Sequence, residues 1–244
     1  MSTAREDILA GIRGALQRGP LPESAASGLA ERVAAHRRNL IPARAAALDH
    51  RARINLFVAM AEEVQTTVVR VATNAAVPDE VARYLAAENL PSELVMAPDP
   101  SLDAIPWDAR PLLGIRRGRA EPGDAVSLTP CLAAIAETGT LMLVSGPDTP
   151  TTLNFLPDTH IVVLRAGQVV ASYEDGWDLV RARTHGAPGA WPRPGWPRTV
   201  NLITGPSRTG DIEQRIQLGA HGPRRLHIVL VDDPEAAANG PPPG

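Results

Sequence analysis

The chain reads as an α/β protein with a mostly parallel, Rossmann-like sheet flanked by helices. Three observations predict it. Strand-like and helix-like segments alternate from about residue 66 onward, and alternation of that kind builds a parallel sheet through helical crossovers. The strand-like segments are short, continuous β-branched runs, the pattern of strands covered on both faces. Length and composition, 244 residues with 44% apolar and 21% charged, suit a soluble domain with a substantial core.

Taken in order, residues 5–17 carry Ile8, Leu9, Ile12 and Leu16 as a helical stripe. A Gly/Pro/Ser-containing stretch at 19–28 and an Ala- and Arg-rich helical region follow. Ile54, Phe57, Val58, Ala61 and Val64 recur at the spacing of a helix with one buried face. Then come a strand at 66–71 (TTVVRV), a helix at 78–90 opened by Pro78 and Asp79, and strands at 92–97 and 111–115. Further strands are expected at 140–145, 160–165, 199–204 and 226–231. Helices are expected at about 130–136, 150–156, 172–183 (Tyr173, Trp177 and Val180 inward) and 211–218. The expected division is an N-terminal helical segment (1–49), one α/β domain (50–235) and a disordered tail (236–244) ending NGPPPG.

Composition excludes several chemistries. All 24 basic residues are Arg, which removes Schiff-base chemistry through an enzyme amine and a phosphate-loop lysine. A single cysteine, Cys131, cannot form an intrachain disulfide or supply the ligands of an iron–sulfur cluster or a Cys-rich zinc site. No metal site is expected. The net charge of -3 gives no pull toward nucleic acid, and the short Arg clusters are mixed with acids. Glu6 and Asp7 interrupt the N-terminal segment, which does not read as a signal peptide, and no apolar run reaches spanning length. A cytoplasmic location is expected.

Two motifs stand out from routine packing. The first is "TGPSRTGDIEQRIQLGAHGP", residues 204–223. Gly205 and Pro206 turn the chain, and Thr209 or Asp211 can cap a following helix, with Gln214 placed as in a capping box. Capping alone leaves Ser207 and Arg208 unexplained; these donors ahead of a helix suit an anionic ligand. Gly219 would end that helix, and His221 is either a hydrogen-bonded turn residue or a proton shuttle. The second motif is "AETGT", residues 136–140, where Glu137 sits between Ile135 and Leu141. Glu137 is either a buried acid held by backbone N–H groups or an Arg, or a base, nucleophile or hydroxyl-binding group. Thr138, Gly139 and Thr140 add hydroxyls and a turn beside it. Both motifs flank strand ends, so Glu137 and Ser207 are expected at one cleft. Cys131 falls in the expected first turn of the 130–136 helix, as a small buried hydrophobe or a stabilised thiolate. The Pro/Gly/Trp loop 184–198 either covers a ligand with Trp191 or Trp196 or tucks them against the core.

"AAIAETGTLML" followed by "TGPSRTGDIEQRIQLGAHGPRRLHIVLVDD" closely resembles the lactate utilization protein C (LutC, YkgG) family of LUD-domain proteins. The resemblance covers roughly residues 50–232, with Gly210 standing where the second motif usually has alanine. It implies a fold similar to the NagB/ribose-phosphate isomerase/CoA-transferase group. It also implies a role with iron–sulfur partner proteins in oxidising L-lactate to pyruvate, with the clusters in the partners and no cofactor in this chain. The expected ligand is a small anionic molecule contacted by Thr138, Gly139, Thr140, Gly205, Pro206, Ser207, Arg208, Thr209 and Asp211, with Glu137 and His221 as the candidate catalytic groups. The alternative is a stand-alone enzyme of CoA-transferase or cyclo-ligase type using Glu137.

Overall fold

The computed structural model describes residues 3–17, 19–38, 40–183, 195–209 and 217–232. The chain divides into two compact units, the boundary falling between Asn39 and Leu40. In the first, α1 (Ala4–Ala15) opens with a capping box in which Thr3 and Glu6 satisfy each other's backbone N–H groups. α2 (Glu23–Ala35) follows. The stripe of Ile8, Ile12 and Leu16 is helical as expected, yet all three side chains are exposed.

The second unit begins with α3 (Ala43–Ala46) and α4 (His50–Glu63), the latter capped by Asp49 accepting from the Ala52 N–H. β1 (Thr67–Val71) leads through α5 (Val77–Ala87) to β2 (Glu93–Met96), β3 (Gly114–Arg117) and β4 (Val126–Pro130). β5 (Ala133–Ile135) and β6 (Thr140–Val144) form a hairpin; α6 (Thr152–Phe155), β7 (Thr159–Arg165), β8 (Val169–Val170) and α7 (Tyr173–Ala182) follow. β9 (Val200–Ile203), β10 (Arg208–Thr209), β11 (Gln217–Leu218) and β12 (Arg225–Val231) complete it.

Six strands form a wholly parallel sheet in the order β1-β12-β7-β4-β2-β3. The apolar runs in β7 and β12 follow from burial on both faces. Ile161, Val163, Val229 and Val231 pack with Val77, Val81 and Leu85 of α5. Val162, Leu164, Ile228 and Leu230, on the alternate positions, pack with Ile54, Phe57 and Ala61 of α4. A second sheet, β8-β5-β6-β9, covers that same face through Ala134, Leu141 and Leu143. Its outer face, Ala133, Ile135 and Met142, is closed by Tyr173, Trp177 and Val180 of α7. The inward residues expected of 172–183 are therefore the ones that pack. Among the described residues no helix is long and apolar enough to cross a membrane.

Four local expectations change. Residues 130–136 are not a helix but the end of β4, a break at Cys131–Leu132, and β5. The small, wholly buried Ala133, Ala134 and Ala136 fill a two-sided layer, and that tertiary demand overrides alanine's helical preference. β4 itself escapes a reading of apolar periodicity because Ser127 and Thr129 interrupt it. Both hydroxyls are satisfied inside, Ser127 Oγ donating to the Leu153 carbonyl at 2.6 Å and Thr129 Oγ1 pairing with His160 Nε2 at 2.8 Å. The strand expected at 111–115 starts only at Gly114, since Leu112 is solvent-exposed and β3 is the sheet edge. Finally, the helix expected at 211–218 is contradicted at its end: Gln217–Leu218 form a strand paired antiparallel with Arg208–Thr209. Asp211, Gln214 and the tail 236–244 lie outside the described residues.

Candidate functional site

The second sheet assembles the two motifs at one end, for a different reason than two strands leaving one parallel sheet. Residues 136–139 are the turn before β6, and residues 204–207 follow β9. Because β6 and β9 run antiparallel, with Leu141 opposite Ile203, the start of one strand lies beside the end of the other. Thr140 Oγ1 and Thr204 Oγ1 are 2.7 Å apart. Thr140 also pairs with Thr138 Oγ1 at 2.7 Å, and the Tyr173 hydroxyl meets Thr140 at 3.0 Å and Thr138 at 3.2 Å. One chain of hydroxyls therefore runs from the second motif into the first.

Both turns rest on the carboxyl end of α4. Gly139 has φ +66, and a Cβ there would lie 2.4 Å from the Ala61 nitrogen. Gly205 has φ +80, and a Cβ there would lie 2.5 Å from the Val64 carbonyl oxygen. Glycine is required at both positions by torsion and by close backbone approach. Arg208 Nη2 donates to that same Val64 carbonyl at 3.3 Å, a cation at a helix carboxyl end. Arg44 donates to the Glu137 carbonyl at 2.6 Å from the other side.

Glu137 is 7% exposed. Its Oε1 accepts the backbone N–H of Tyr173, the first residue of α7, at 3.2 Å. Its Oε2 has no hydrogen-bond partner among the described residues. A carboxylate placed at a helix amino end is stabilised by the helix dipole. Glu137 lines neither of the two cavities described below.

The smaller cavity, about 360 Å³, is built by the second motif: Thr204, Gly205, Pro206, Ser207, Arg208 and His221 all line it. Its remaining wall includes Asn154 of α6 and His160 of β7. The described part of the motif is a turn and a two-residue ribbon in which Arg208–Thr209 pair with Gln217–Leu218. The Ser207 N–H is used on the Pro223 carbonyl and the Ser207 carbonyl accepts from Gly219, while Ser207 Oγ accepts from the His221 N–H at 3.2 Å. What the motif offers a ligand is the Ser207 and Thr204 hydroxyls, the Arg208 guanidinium and the His221 ring. Thr209 is buried in β10. Burial pushes His160 down to about 3, so its imidazole is neutral at physiological pH.

The larger cavity, about 1030 Å³, lies beyond the carboxyl ends of β4 and β6. Composition gave no sign of it, because its lining is scattered from Asp99 to Thr199. Asn154 lines both cavities, and Thr129 and His160, paired through one hydrogen bond, line the larger and the smaller respectively. Cys131, at the break after β4, is 7% exposed, and burial pushes its thiol up to about 12. It is therefore a small buried hydrophobe and not a helix-stabilised thiolate. Trp196 packs with Val180 and Met142, and the rest of the expected lid, 184–194, lies outside the described residues.

Residues 124–231 match the family model of the LUD domain. The chain is 39% identical over 110 residues to a lactate utilization protein C of Deinococcus radiodurans, covering 44% of this chain and 46% of that one. It is 31% identical over 108 residues to the protein of the same name from Bacillus subtilis, covering 44% and 42%. The matched segment thus spans a little under half the length of these relatives. A crystal structure of a DUF162 family protein from Deinococcus radiodurans covers 76% of this chain and 99% of its own, with TM-score 0.53 and 24% identity, and shares the fold. Both motifs and every described residue of the smaller cavity's second-motif wall fall inside the matched segment: over residues 124–231 the chain is similar to the LUD domain, and it is similar to proteins named lactate utilization protein C.

Proposed function

We propose that this chain is a subunit of a cytoplasmic L-lactate utilization system, in which lactate is oxidised to pyruvate with iron–sulfur partner proteins. On this reading the clusters reside in the partners. One cysteine, buried at the end of β4, cannot ligate a cluster by itself. The names of the relatives support the system, and the observation that carries the assignment of a site is the 360 Å³ cavity built by the second motif. Its size is at the lower end of ligand sites, about 300–1,000 Å³, and admits a three-carbon acid.

In this cavity Arg208 would take the carboxylate. Its Nη2 is anchored on the Val64 carbonyl, which fixes the guanidinium plane, and an Arg–carboxylate contact is charge-assisted. The Thr204 and Ser207 hydroxyls would meet the substrate's hydroxyl or keto oxygen, and the exposed His221, which lines the cavity, would carry a proton. Glu137 acts through structure on this reading. It holds the amino end of α7, and so the Tyr173 hydroxyl, against Thr140 and Thr204. A stand-alone CoA-transferase or cyclo-ligase with Glu137 as nucleophile is disfavoured, because the carboxylate lines neither cavity.

The test is calorimetric titration of the chain with L-lactate and with pyruvate, in wild type and Arg208→Ala. Loss of a charge-assisted contact, about 1.5–3 kcal/mol, weakens binding roughly ten- to a hundredfold. A wild type that takes up neither acid, or an Arg208→Ala protein that binds as well, removes the site. Lactate-dependent dye reduction by this chain alone would overturn its role as the subunit without the redox centre.

A further inference from the structure

We propose that the larger cavity is a second ligand site, and that it takes a nucleoside diphosphate. Its place comes first. In parallel α/β sheets, ligands bind outside the carboxyl ends of the strands, and this cavity is lined by Thr129 and Pro130 at the end of β4 and by Asp99 beyond β2. The smaller cavity adjoins it, sharing Asn154 and lying across the Thr129–His160 hydrogen bond, but has its own wall beside Leu226 where β12 begins.

Size then decides the ligand class. At about 1030 Å³ the cavity has nearly three times the volume of its neighbour and reaches the top of the range for small-molecule sites, roughly 300–1,000 Å³. A three-carbon acid would leave most of it filled with water, whereas it has room for a ligand the size of a nucleotide.

The lining supplies the matching chemistry. Arg119, Arg183 and Arg198 all face the cavity. Arg119 has one distant acidic neighbour, Glu121 at 3.9 Å, and the guanidinium groups of Arg183 and Arg198 have no ion pair or hydrogen bond among the described residues. Guanidinium groups lining one cavity suit the fork geometry of phosphate oxygens. Two carboxylates share the lining: Asp99, one oxygen of which accepts the Ser101 N–H, and the exposed Asp148. Carboxylates repel phosphate but accept from sugar hydroxyls, so the mixture favours a ligand carrying both over a simple polyanion. Trp196 lines the cavity while also packing against the layer under α7, and a base can contact the part of its indole that lines the cavity.

Asn154, 4% exposed, lines this cavity and the smaller one, and its amide can hydrogen-bond a sugar or phosphate oxygen from this side.

The experiment is calorimetric titration of the full chain with ADP, alongside AMP, inorganic pyrophosphate and citrate. ADP is expected to bind at one site per chain, more tightly than any of the other three. Arg183→Ala/Arg198→Ala removes two exposed side chains that hold no structural contact, and weakens ADP binding tenfold or more. The same variant leaves lactate and pyruvate titrations unchanged, so failure here is distinguishable from failure of the Arg208 site. Absence of ADP binding at millimolar concentration, or equal binding by the double variant, overturns the site. Pyrophosphate or citrate binding as tightly as ADP overturns the nucleoside part.

Discussion

Replacing Gly139 with alanine tests whether the two motifs are held together by α4. The residue has φ +66, and an added Cβ would lie 2.4 Å from the Ala61 nitrogen, 2.6 Å from the Met60 carbonyl carbon and 2.8 Å from the Ala61 Cα. All three atoms are helix backbone, so no rotamer change relieves the clash. The left-handed conformation costs an alanine about 1–2 kcal/mol, and displacing a packed element to admit a methyl group costs about 1–3 kcal/mol more. The sum is about 2–5 kcal/mol. At roughly 2–4 °C per kcal/mol for a domain of this size, Tm falls on the order of 10 °C. Gly123 is the control: its φ is +101 but nothing lies within 4 Å of its Cβ position, so Gly123→Ala carries only the torsional part. The assay is urea denaturation of both variants by far-UV circular dichroism. Gly205→Ala meets the Val64 carbonyl at 2.5 Å on the same helix end. Its effect should be less than additive with that of Gly139→Ala, because α4 once displaced accommodates both methyl groups. If Gly139→Ala is as stable as Gly123→Ala, or the double variant is strictly additive, α4 is not the common support.

The remaining expectations concern buried groups. Glu137→Ala removes a charge-assisted contact to the amino end of α7 and should cost about 2 kcal/mol; Glu137→Gln retains an acceptor for the Tyr173 N–H and should cost under about 1 kcal/mol. Equal losses in urea titration would show that the contact carries no weight. Burial pushes His227, stacked 3.8 Å from the Tyr84 ring, down to about 4, and His160 down to about 3. Their folded values lie below the ordinary 6.5, so the unfolded chain binds more protons between those limits, and stability present above pH 6.5 is lost as pH falls toward 4. At 1.36 kcal/mol per unit the loss reaches about 3 kcal/mol for His227. A His227→Gln protein should show a shallower fall in urea midpoint between pH 7 and 4.5, and an identical slope would contradict the assignment. Cys131, with its thiol pushed up to about 12, should react with a disulfide reagent at pH 8 at least about a hundredfold more slowly in the native than in the unfolded chain. Comparable rates in the two states would place the thiol in solvent.

Much of the α/β body is legible in the sequence because its signals are local. The runs in β7 and β12 announce strands buried on both faces, and the spacing of Ile54, Phe57 and Ala61 announces the face of α4. The turn glycines at 139 and 205 and the Ser207–Arg208 pair are visible as departures from routine packing. What fails is also physical. Alanine is too small to declare a side, so residues 133–136 look helical until two layers close on them. Ser127 and Thr129 look like solvent residues until Leu153 and His160 receive their hydroxyls. The second sheet was hidden because strand direction is not written in a strand: 140–144 and 200–203 read alike whether parallel or antiparallel, and only their pairing places Thr140 beside Thr204. The sequence by itself determined which residues could bear chemistry. Tertiary structure alone decided that Glu137 faces a helix end, that Arg208 and His221 share a cavity, and that Arg119, Arg183 and Arg198, distant along the chain, line another. Long-range packing sets which side chains meet, and no local pattern encodes it.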